Sequence, residues 1–220
     1  VCGSTAVAIY GIACKIITSA YMQVSTGVTG VFLPKLTAIS ARTDSMVEIN
    51  SLFCRIGRIQ SILVWAVCMG FVVAGNEFVY LWAGAEYGDV YPATVILMLG
   101  MSVALIQNLG LSILQAKNKM AFRAIVYTGL AVLDVILSIP VSAMLGVLGC
   151  AIVAAILPFV RTGPIMNWYY WKKIGIAIPR FWRETLPLVV PVVISGIVVY
   201  VAGEFLFTSY SISGFVAKII

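Results

Sequence analysis

The stretch AIVYTGLAVLDVILSIPVSAML at residues 124–145 is followed, after Gly146, by VLGCAIVAAILPFVRTGPIMNWYY at residues 147–170. Each half supplies roughly the 20 apolar residues that an α-helix needs to cross a hydrocarbon core of about 30 Å. Together they carry only two charged side chains, Asp134 and Arg161. Because a backbone in lipid must satisfy its own hydrogen bonds, these runs predict two membrane-spanning helices joined by a very short turn.

The rest of the chain has the same composition. Apolar residues make up 62% of its 220 positions and charged residues 10%, with a mean hydropathy of +1.07. A soluble domain has roughly half apolar and a quarter charged residues, so this chain has too few charges to cover a globular surface. Four further apolar runs lie at residues 5–33, 59–79, 93–114 and 188–207. In chain order, spans one to six are therefore residues 5–33, 59–79, 93–114, 124–145, 147–170 and 188–207. The sequence therefore predicts an all-α, polytopic transmembrane bundle of about six spans.

Basic residues alternate between the predicted connections. Three alternate connections hold eleven of the 14 Lys and Arg residues: Lys35, Arg42, Arg55, Arg58, Lys117, Lys119, Arg123, Lys172, Lys173, Arg180 and Arg183. The charged residues of the connection between spans two and three are all acidic: Glu77, Glu86 and Asp89. By the positive-inside rule the basic connections are cytoplasmic and the first residue lies outside. We therefore predict a multi-pass membrane protein with these connections in the cytoplasm.

The chain divides into three predicted parts. Residues 1–171 form a bundle of five helices, and residues 172–187 mix basic and apolar side chains as an amphipathic segment on the cytoplasmic face does. Residues 188–220 contain the sixth span and the start of a further apolar segment. Because the chain begins at Val1 without an initiator Met and ends inside an apolar run, it is interpreted as part of a longer protein.

Several function classes are disfavoured by what the sequence lacks. It has no His, and its five Cys are scattered without a CxxC pair, so His-based catalysis and His-ligated zinc are excluded. We therefore expect no metal and no cofactor. We also expect no nucleic-acid partner, since the basic residues form no single patch. The acidic group Glu77, Glu86 and Asp89 is the only one that a membrane enzyme could use, and it is typical of an outside loop. We therefore expect no enzyme.

Three ionisable side chains lie inside predicted spans, where a charge costs roughly 3 kcal/mol and commonly marks function. Lys15 either extends toward the outer interface or faces a cavity. Asp134 either bonds a neighbouring helix or lies on a transport path. Arg161 either reaches the cytoplasmic headgroups or offers a cation to an anionic ligand. The polar residues Gln23, Gln107 and Asn108 are weaker candidates, because interhelical hydrogen bonds account for many such residues.

Ordered segments along most of the chain resemble one membrane family. They are AVAIYGIACKI at 6–16, FLPKLTAIS at 32–40, GNEFVYLWAGAEYGDVYPA at 75–93, IQNLGLSILQAKNKMAFRA at 106–124, LDVILSIPV at 133–141 with GVLGCAIVAAI at 146–156, and NWYYWKKIGIAIPRFWRE at 167–184. The order and spacing of these segments are similar to the C-terminal half of polysaccharide-biosynthesis flippases. These are the O-antigen and teichuronic-acid type exporters of the multidrug/oligosaccharidyl-lipid/polysaccharide superfamily.

The resemblance implies a transporter of two helical bundles around a central cavity, of which this chain contains most of the second. It implies a location in the bacterial inner (cytoplasmic) membrane. There, alternating access would move an undecaprenyl-diphosphate-linked oligosaccharide to the outer leaflet for surface polysaccharide such as lipopolysaccharide. Membrane lipids, the polysaccharide polymerase and the chain-length machinery are the further partners implied. Two cations suit an anionic cargo, because guanidinium and ammonium groups pair with phosphate. The alternative is a cation-coupled antiporter of the multidrug-extrusion type, which would use intramembrane carboxylates.

Overall fold

The computed structural model describes residues 4–40 and 46–206, and every long element in that part of the chain is a helix. In chain order these elements are α1 Ser4–Ile16, a π-helical turn Ile17–Tyr21, α2 Met22–Ser40, α3 Met46–Ala83, a 3-10 turn Ala85–Tyr87, α4 Val90–Ile106, α5 Asn108–Ala116, α6 Ala121–Val160, a π-helical turn Arg161–Met166, α7 Asn167–Tyr169, a π-helical turn Tyr170–Ile174 and α8 Ile178–Leu206. The predicted all-α fold is confirmed.

Five continuous helical stretches in the described residues are long and apolar enough to cross a membrane. The stretch Ala121–Ile174 has 54 residues, which at about 1.5 Å per residue is far too long for a single crossing. Its two ends meet instead, since the rings of Phe122 and Tyr169 stack with their centroids 4.2 Å apart. The stretch is therefore a hairpin of two antiparallel spans, and the described residues make six crossings.

The hairpin turns at Gly146, near the middle of the stretch. Its backbone angles, φ 62° and ψ −138°, are open to glycine because it has no Cβ atom. Gly149 then lies so close to the returning chain that a Cβ atom there would stand 2.5 Å from the Val141 carbonyl oxygen. The two glycines together allow spans four and five to reverse direction within a few residues, as the sequence pattern predicted.

Spans one and three are not regular α-helices over their whole length. Span one contains the π-helical turn Ile17–Tyr21, a feature that is frequent at functional sites. Span three is interrupted at Gln107, whose angles of φ −99° and ψ 17° separate α4 from α5. The sequence predicted neither irregularity, because an apolar run reports length and composition but not the local winding of the helix.

Close helix packing depends on a few small residues, as is typical of membrane bundles. A Cβ atom on Gly100 of α4 would collide with the backbone of Ala155 in α6. A Cβ atom on Gly57 of α3 would likewise overlap the ring of Phe181 at the start of α8. Phe181 is fully buried and its ring centroid lies 4.7 Å from that of Phe53. These contacts hold α4 against the hairpin and α8 against α3.

The described parts of the three basic connections meet at one end of the bundle, which we call the basic end. Asn50 near the start of α3 ties down the loop before α8: its side chain donates to the Gly175 carbonyl at 3.2 Å and accepts from the Ala177 amide at 3.0 Å. Lys117 after α5 lies against Met46, and burial, with a smaller contribution from Lys119, lowers the pKa of Lys117. This is the end that the positive-inside rule predicts to be cytoplasmic.

Two helices extend beyond their predicted apolar runs. The helix of span two, α3, begins at Met46 instead of near residue 59. The helix of span six, α8, begins at Ile178 instead of residue 188. The predicted amphipathic segment 172–187 therefore contains the end of one helix, a short loop and the first turns of α8. The additional turns are rich in charge, so hydropathy alone excluded them. Arg42 and the predicted further segment after residue 207 lie outside the described residues.

Candidate functional site

Span one exposes a polar surface to whatever surrounds this chain. Between Gly11 and Gly30, every exposed residue is polar or small, and none carries a large apolar side chain. We call its polar members the polar face: Lys15, Thr18, Ser19, Gln23 and Thr26. Lipid solvates such a surface poorly, because hydrocarbon offers no hydrogen bonds to polar groups. The polar face therefore suits contact with water or with another polar surface.

Lys15 lies on the rim of a groove between span one and α3. The groove has a volume of about 440 Å³, and its other walls are Ile16, Ser19, Ala20, Phe71, Phe78 and Trp82. The rings of Phe78 and Trp82 stack with their centroids 5.7 Å apart. Lys15 thus lines a groove whose other walls are mostly aromatic and apolar, and Lys15 itself is exposed among the described residues. This is an arrangement that can hold an anion beside an apolar chain.

The threonine hydroxyl groups of the polar face, on Thr18 and Thr26, turn back to their own helix. Thr18 Oγ1 donates to the Cys14 carbonyl at 2.9 Å. Thr26 Oγ1 lies 3.2 Å from the Met22 carbonyl and 3.3 Å from the Gln23 side-chain oxygen. Such bonds lower the cost of a hydroxyl in a membrane. They leave the Lys15 ammonium, the Ser19 hydroxyl and the Gln23 amide nitrogen as the groups on this face most able to contact a solute.

Asp134 lies on the partly covered side of span four. Its Oδ1 accepts a hydrogen bond from Ser138 Oγ at 3.2 Å, one helical turn later. It also interacts electrostatically with Tyr10 of span one and with Arg161 of span five. The residues around it in sequence, including Val135 and Ile136, are exposed and apolar. Asp134 therefore faces the contact between spans one, four and five.

Arg161 is half-buried and reaches across the hairpin to Tyr127 of span four. Its guanidinium carbon lies 3.8 Å from the centroid of the Tyr127 ring. The guanidinium carbon of Arg123 lies 4.3 Å from the same centroid. The structure thus brings two cations to one aromatic ring near the basic end. Arg123 and Tyr127 were not predicted as site residues, although their spacing of four residues places them on one helical face.

Gln107 is buried, with 2% of its surface exposed, and lies at the break in span three. Neither polar atom of its side chain has a hydrogen-bond partner among the described residues. Asn108 is half-buried and begins α5. Near this break, the Leu105 carbonyl accepts from Ser25 Oγ at 2.7 Å. The two amides therefore mark an irregular part of span three instead of a groove wall.

A buried polar network, not predicted from the sequence pattern, joins span one to α3 at this level. Gln60 Nε2 donates to Thr29 Oγ1 at 2.8 Å and to the Ser25 carbonyl at 3.2 Å. Ser25 and Thr29 stand one helical turn apart, so the signal was present but indistinguishable from ordinary hydroxyl placement. This network ties the covered side of span one to the bundle and leaves the polar face on the opposite side.

The six predicted residues thus fall into separate places. Lys15 and Gln23 share the polar face. Asp134 lies at the contact between spans one, four and five, and Arg161 reaches across the hairpin to Tyr127. Gln107 is buried at the break in span three, with the half-buried Asn108 beside it. Arg161 is not among the residues that line the Lys15 groove. Their predicted convergence on one cavity in the complete transporter stays a prediction.

No family model matches this chain, and no curated protein or solved structure is significantly similar to it.

Proposed function

We propose that this chain is part of an alternating-access transporter that flips an undecaprenyl-diphosphate-linked oligosaccharide across the bacterial cytoplasmic membrane. The observation that supports this most is the polar face of span one, with Lys15 at its groove. A membrane-spanning helix with such a face suits the wall of a water-filled path, which a second bundle would complete. The ordered segments that resemble polysaccharide flippases supply the cargo class.

The chemistry of the groove fits a lipid carrying a diphosphate. An ammonium group pairs strongly with a phosphate oxygen where water is scarce. The walls formed by Phe71, Phe78 and Trp82 offer apolar contact to a prenyl chain. The polar groups below Lys15 on span one offer hydrogen bonds to sugar hydroxyls. Transfer of the product to a polymerase and its chain-length machinery would follow on the outer side.

The test is complementation of a flippase-deficient strain by the intact protein, with surface glycan as the readout. We expect Lys15→Ala to reduce surface glycan at least tenfold and Lys15→Arg to retain most of it, because the positive charge is what pairs with phosphate. Lys119→Ala is the matched control, since it removes an exposed cation from a connection. Failure of the unaltered protein to restore glycan would reject the cargo, and full activity of Lys15→Ala would reject the role of Lys15.

A second candidate is a cation-coupled antiporter, which Asp134 favours. It is a carboxylate deep within a span, and it interacts with Tyr10 and Arg161 across the hairpin. In an antiporter, Asp134→Asn would abolish cation-dependent efflux from proteoliposomes. In a flippase that does not use this carboxylate for coupling, the same variant would retain glycan export. The two assays on one variant therefore separate the two functions.

A further inference from the structure

We propose that Arg123 and Arg161 together bind the phosphate group of a membrane lipid in the leaflet at the basic end of the bundle. We call Arg123, Tyr127 and Arg161 the arginine pair site. It is separate from the Lys15 groove, and it does not rest on the proposed transport function. The inference follows from geometry, from the absence of a nearby counter-ion in the described residues, and from the position of the site at the lipid surface.

The geometry brings two like charges within the reach of one anion. Both guanidinium carbons lie within 4.3 Å of the centroid of the Tyr127 ring, and they interact electrostatically with each other. A phosphate group presents several oxygens, and a guanidinium group can donate to two of them at once. One phosphate can therefore accept from both arginines, which a single carboxylate could do less well.

The charges of the pair are not neutralised by close contacts. In the described part of the chain, Arg58 and Arg180 form ion pairs with Glu184. Neither Arg123 nor Arg161 is within ion-pair distance of a described carboxylate, and Asp134 acts on Arg161 only at longer range. The Arg161 Nε atom is buried without a hydrogen-bond partner among the described residues. Two adjacent cations without a carboxylate at ion-pair distance favour a bound anion.

The depth of the site favours a lipid as the source of that anion. Arg123 is two residues after the start of α6, and Tyr127 is one helical turn further into the span. Lipid phosphates lie at this boundary between connection and span. The same helical turns leave Ile125 uncovered, with 72% of its surface exposed, so acyl chains can pack beside the site. Arg161 reaches this level from within span five by extending its side chain along the hairpin.

A purely structural role is the competing explanation. Two cations on one aromatic ring would then only fasten span four to span five. That role needs the ring and the positive charges, whereas phosphate binding needs the planar, two-pronged donors. Arg161→Lys therefore distinguishes them: it keeps a cation over Tyr127 but loses the paired donors.

The experiment measures binding to the intact, detergent-purified protein by native mass spectrometry, with three probes. These are phosphatidylglycerol, undecaprenyl diphosphate and inorganic pyrophosphate. The variants are Arg123→Gln, Arg161→Gln, Arg161→Lys and the double Gln variant, each checked by its unfolding temperature. The matched control is Lys172→Gln, which removes one cation from the same end, where Lys172 lies 4.4 Å from the centroid of the Trp171 ring.

We expect each Gln variant and Arg161→Lys to weaken phosphatidylglycerol binding by about tenfold, and Lys172→Gln to change it less than twofold. Because the two arginines share one phosphate, the fold-loss of phosphatidylglycerol affinity in the double variant should be smaller than the product of the two single-variant fold-losses. If the arginine variants lose more binding of undecaprenyl diphosphate than of phosphatidylglycerol, the lipid at this site is the carrier of the cargo. Equal dependence would identify bulk anionic lipid.

Three results would overturn the inference. The first is equal lipid binding by the Lys172 control and the arginine variants. The second is a lower unfolding temperature with unchanged binding, which would leave only the structural role. The third is displacement of the lipid by micromolar pyrophosphate, which would make the arginine pair site a soluble-anion site. Arg161→Lys keeps the test valid even if Arg161→Gln fails to fold.

Discussion

Span one and span four both leave a long surface uncovered, and the two surfaces have opposite chemistry. Span one exposes the polar face, whose members include Lys15 and Gln23. Span four exposes what we call the apolar face: Val132, Val135, Ile136 and Ile139, each with more than half of its surface exposed. The described residues cover neither surface, so each must contact something outside them. Their chemistry indicates that the missing partner is water or protein for span one and lipid for span four.

The comparison shows why burial alone is a weak guide to function in a membrane bundle. In water, an exposed apolar helix would mark a binding surface. In lipid, the unusual surface is the polar one, because hydrocarbon cannot satisfy its groups. The apolar face of span four thus needs no partner beyond the bilayer. The polar face of span one does need one, and the proposed path lies there.

The largest expected effect tests water access directly. Single cysteines at Ser19 and Thr26, in a protein with its native cysteines replaced by alanine, should react with a charged, membrane-impermeant maleimide. Cysteines at Ile136 and Ile139 should react at least about tenfold more slowly, because thiolate formation is suppressed in hydrocarbon. Labelling of membrane vesicles, quantified by mass spectrometry, measures the ratio. Equal rates on the two faces would remove the basis for a path along span one.

A second test introduces a charge on each face. Ile136→Arg should destabilise the inserted protein by about 3 kcal/mol, since the new cation has no polar environment. Gln23→Arg should cost less than about 1 kcal/mol, because its neighbours on span one already include a cation and hydroxyl groups. Yield in the membrane and unfolding temperature in detergent report both effects. A greater loss for Gln23→Arg than for Ile136→Arg would mean that lipid covers the polar face.

A third test compares covered and uncovered glycines with one substitution. Gly100→Ala should cost about 1–3 kcal/mol, because the added methyl group collides with Ala155 of the hairpin. Gly129→Ala, on span four with open space around it, should be neutral or stabilise by up to about 1 kcal/mol. Thermal unfolding in detergent compares the two variants. Similar unfolding temperatures would contradict the close packing of α4 against the hairpin.

The smallest expected effect concerns the polar pair on span four. Ser138→Ala removes the hydrogen bond to Asp134 and should cost about 0.5–1 kcal/mol. Ser195→Ala in span six is the control, since that hydroxyl bonds the Val192 carbonyl of its own helix. A fall in unfolding temperature for Ser138→Ala beyond that of the control is the expected result. No difference would indicate that water or Tyr10 already satisfies the Asp134 carboxylate.

Some parts of the candidate site were accessible to sequence reasoning and others were not. Lys15, Asp134 and Arg161 were predicted because a charged residue within an apolar run can be recognised from the sequence alone. Arg123 and Tyr127 were missed, since a basic residue and a tyrosine at a span boundary have an ordinary explanation as interfacial residues. Gln60 was missed because it is the second residue of the apolar run 59–79, and a polar side chain at the end of such a run does not stand out. Its partners, Ser25 and Thr29, belong to a different span, and sequence spacing does not reveal that contact.

The amino-acid sequence by itself determined the class of the fold and the number of crossings. It did so because the hydrocarbon thickness sets the length of an apolar run, and because Gly146 permits the reversal between spans four and five. Only the tertiary structure decided which side of each span is covered. That depends on which helices pack together, and so on contacts such as Gly100 with Ala155 and Gln60 with Thr29. Those contacts turned span one so that Lys15 faces outward, and they brought Arg123 and Arg161 to one ring.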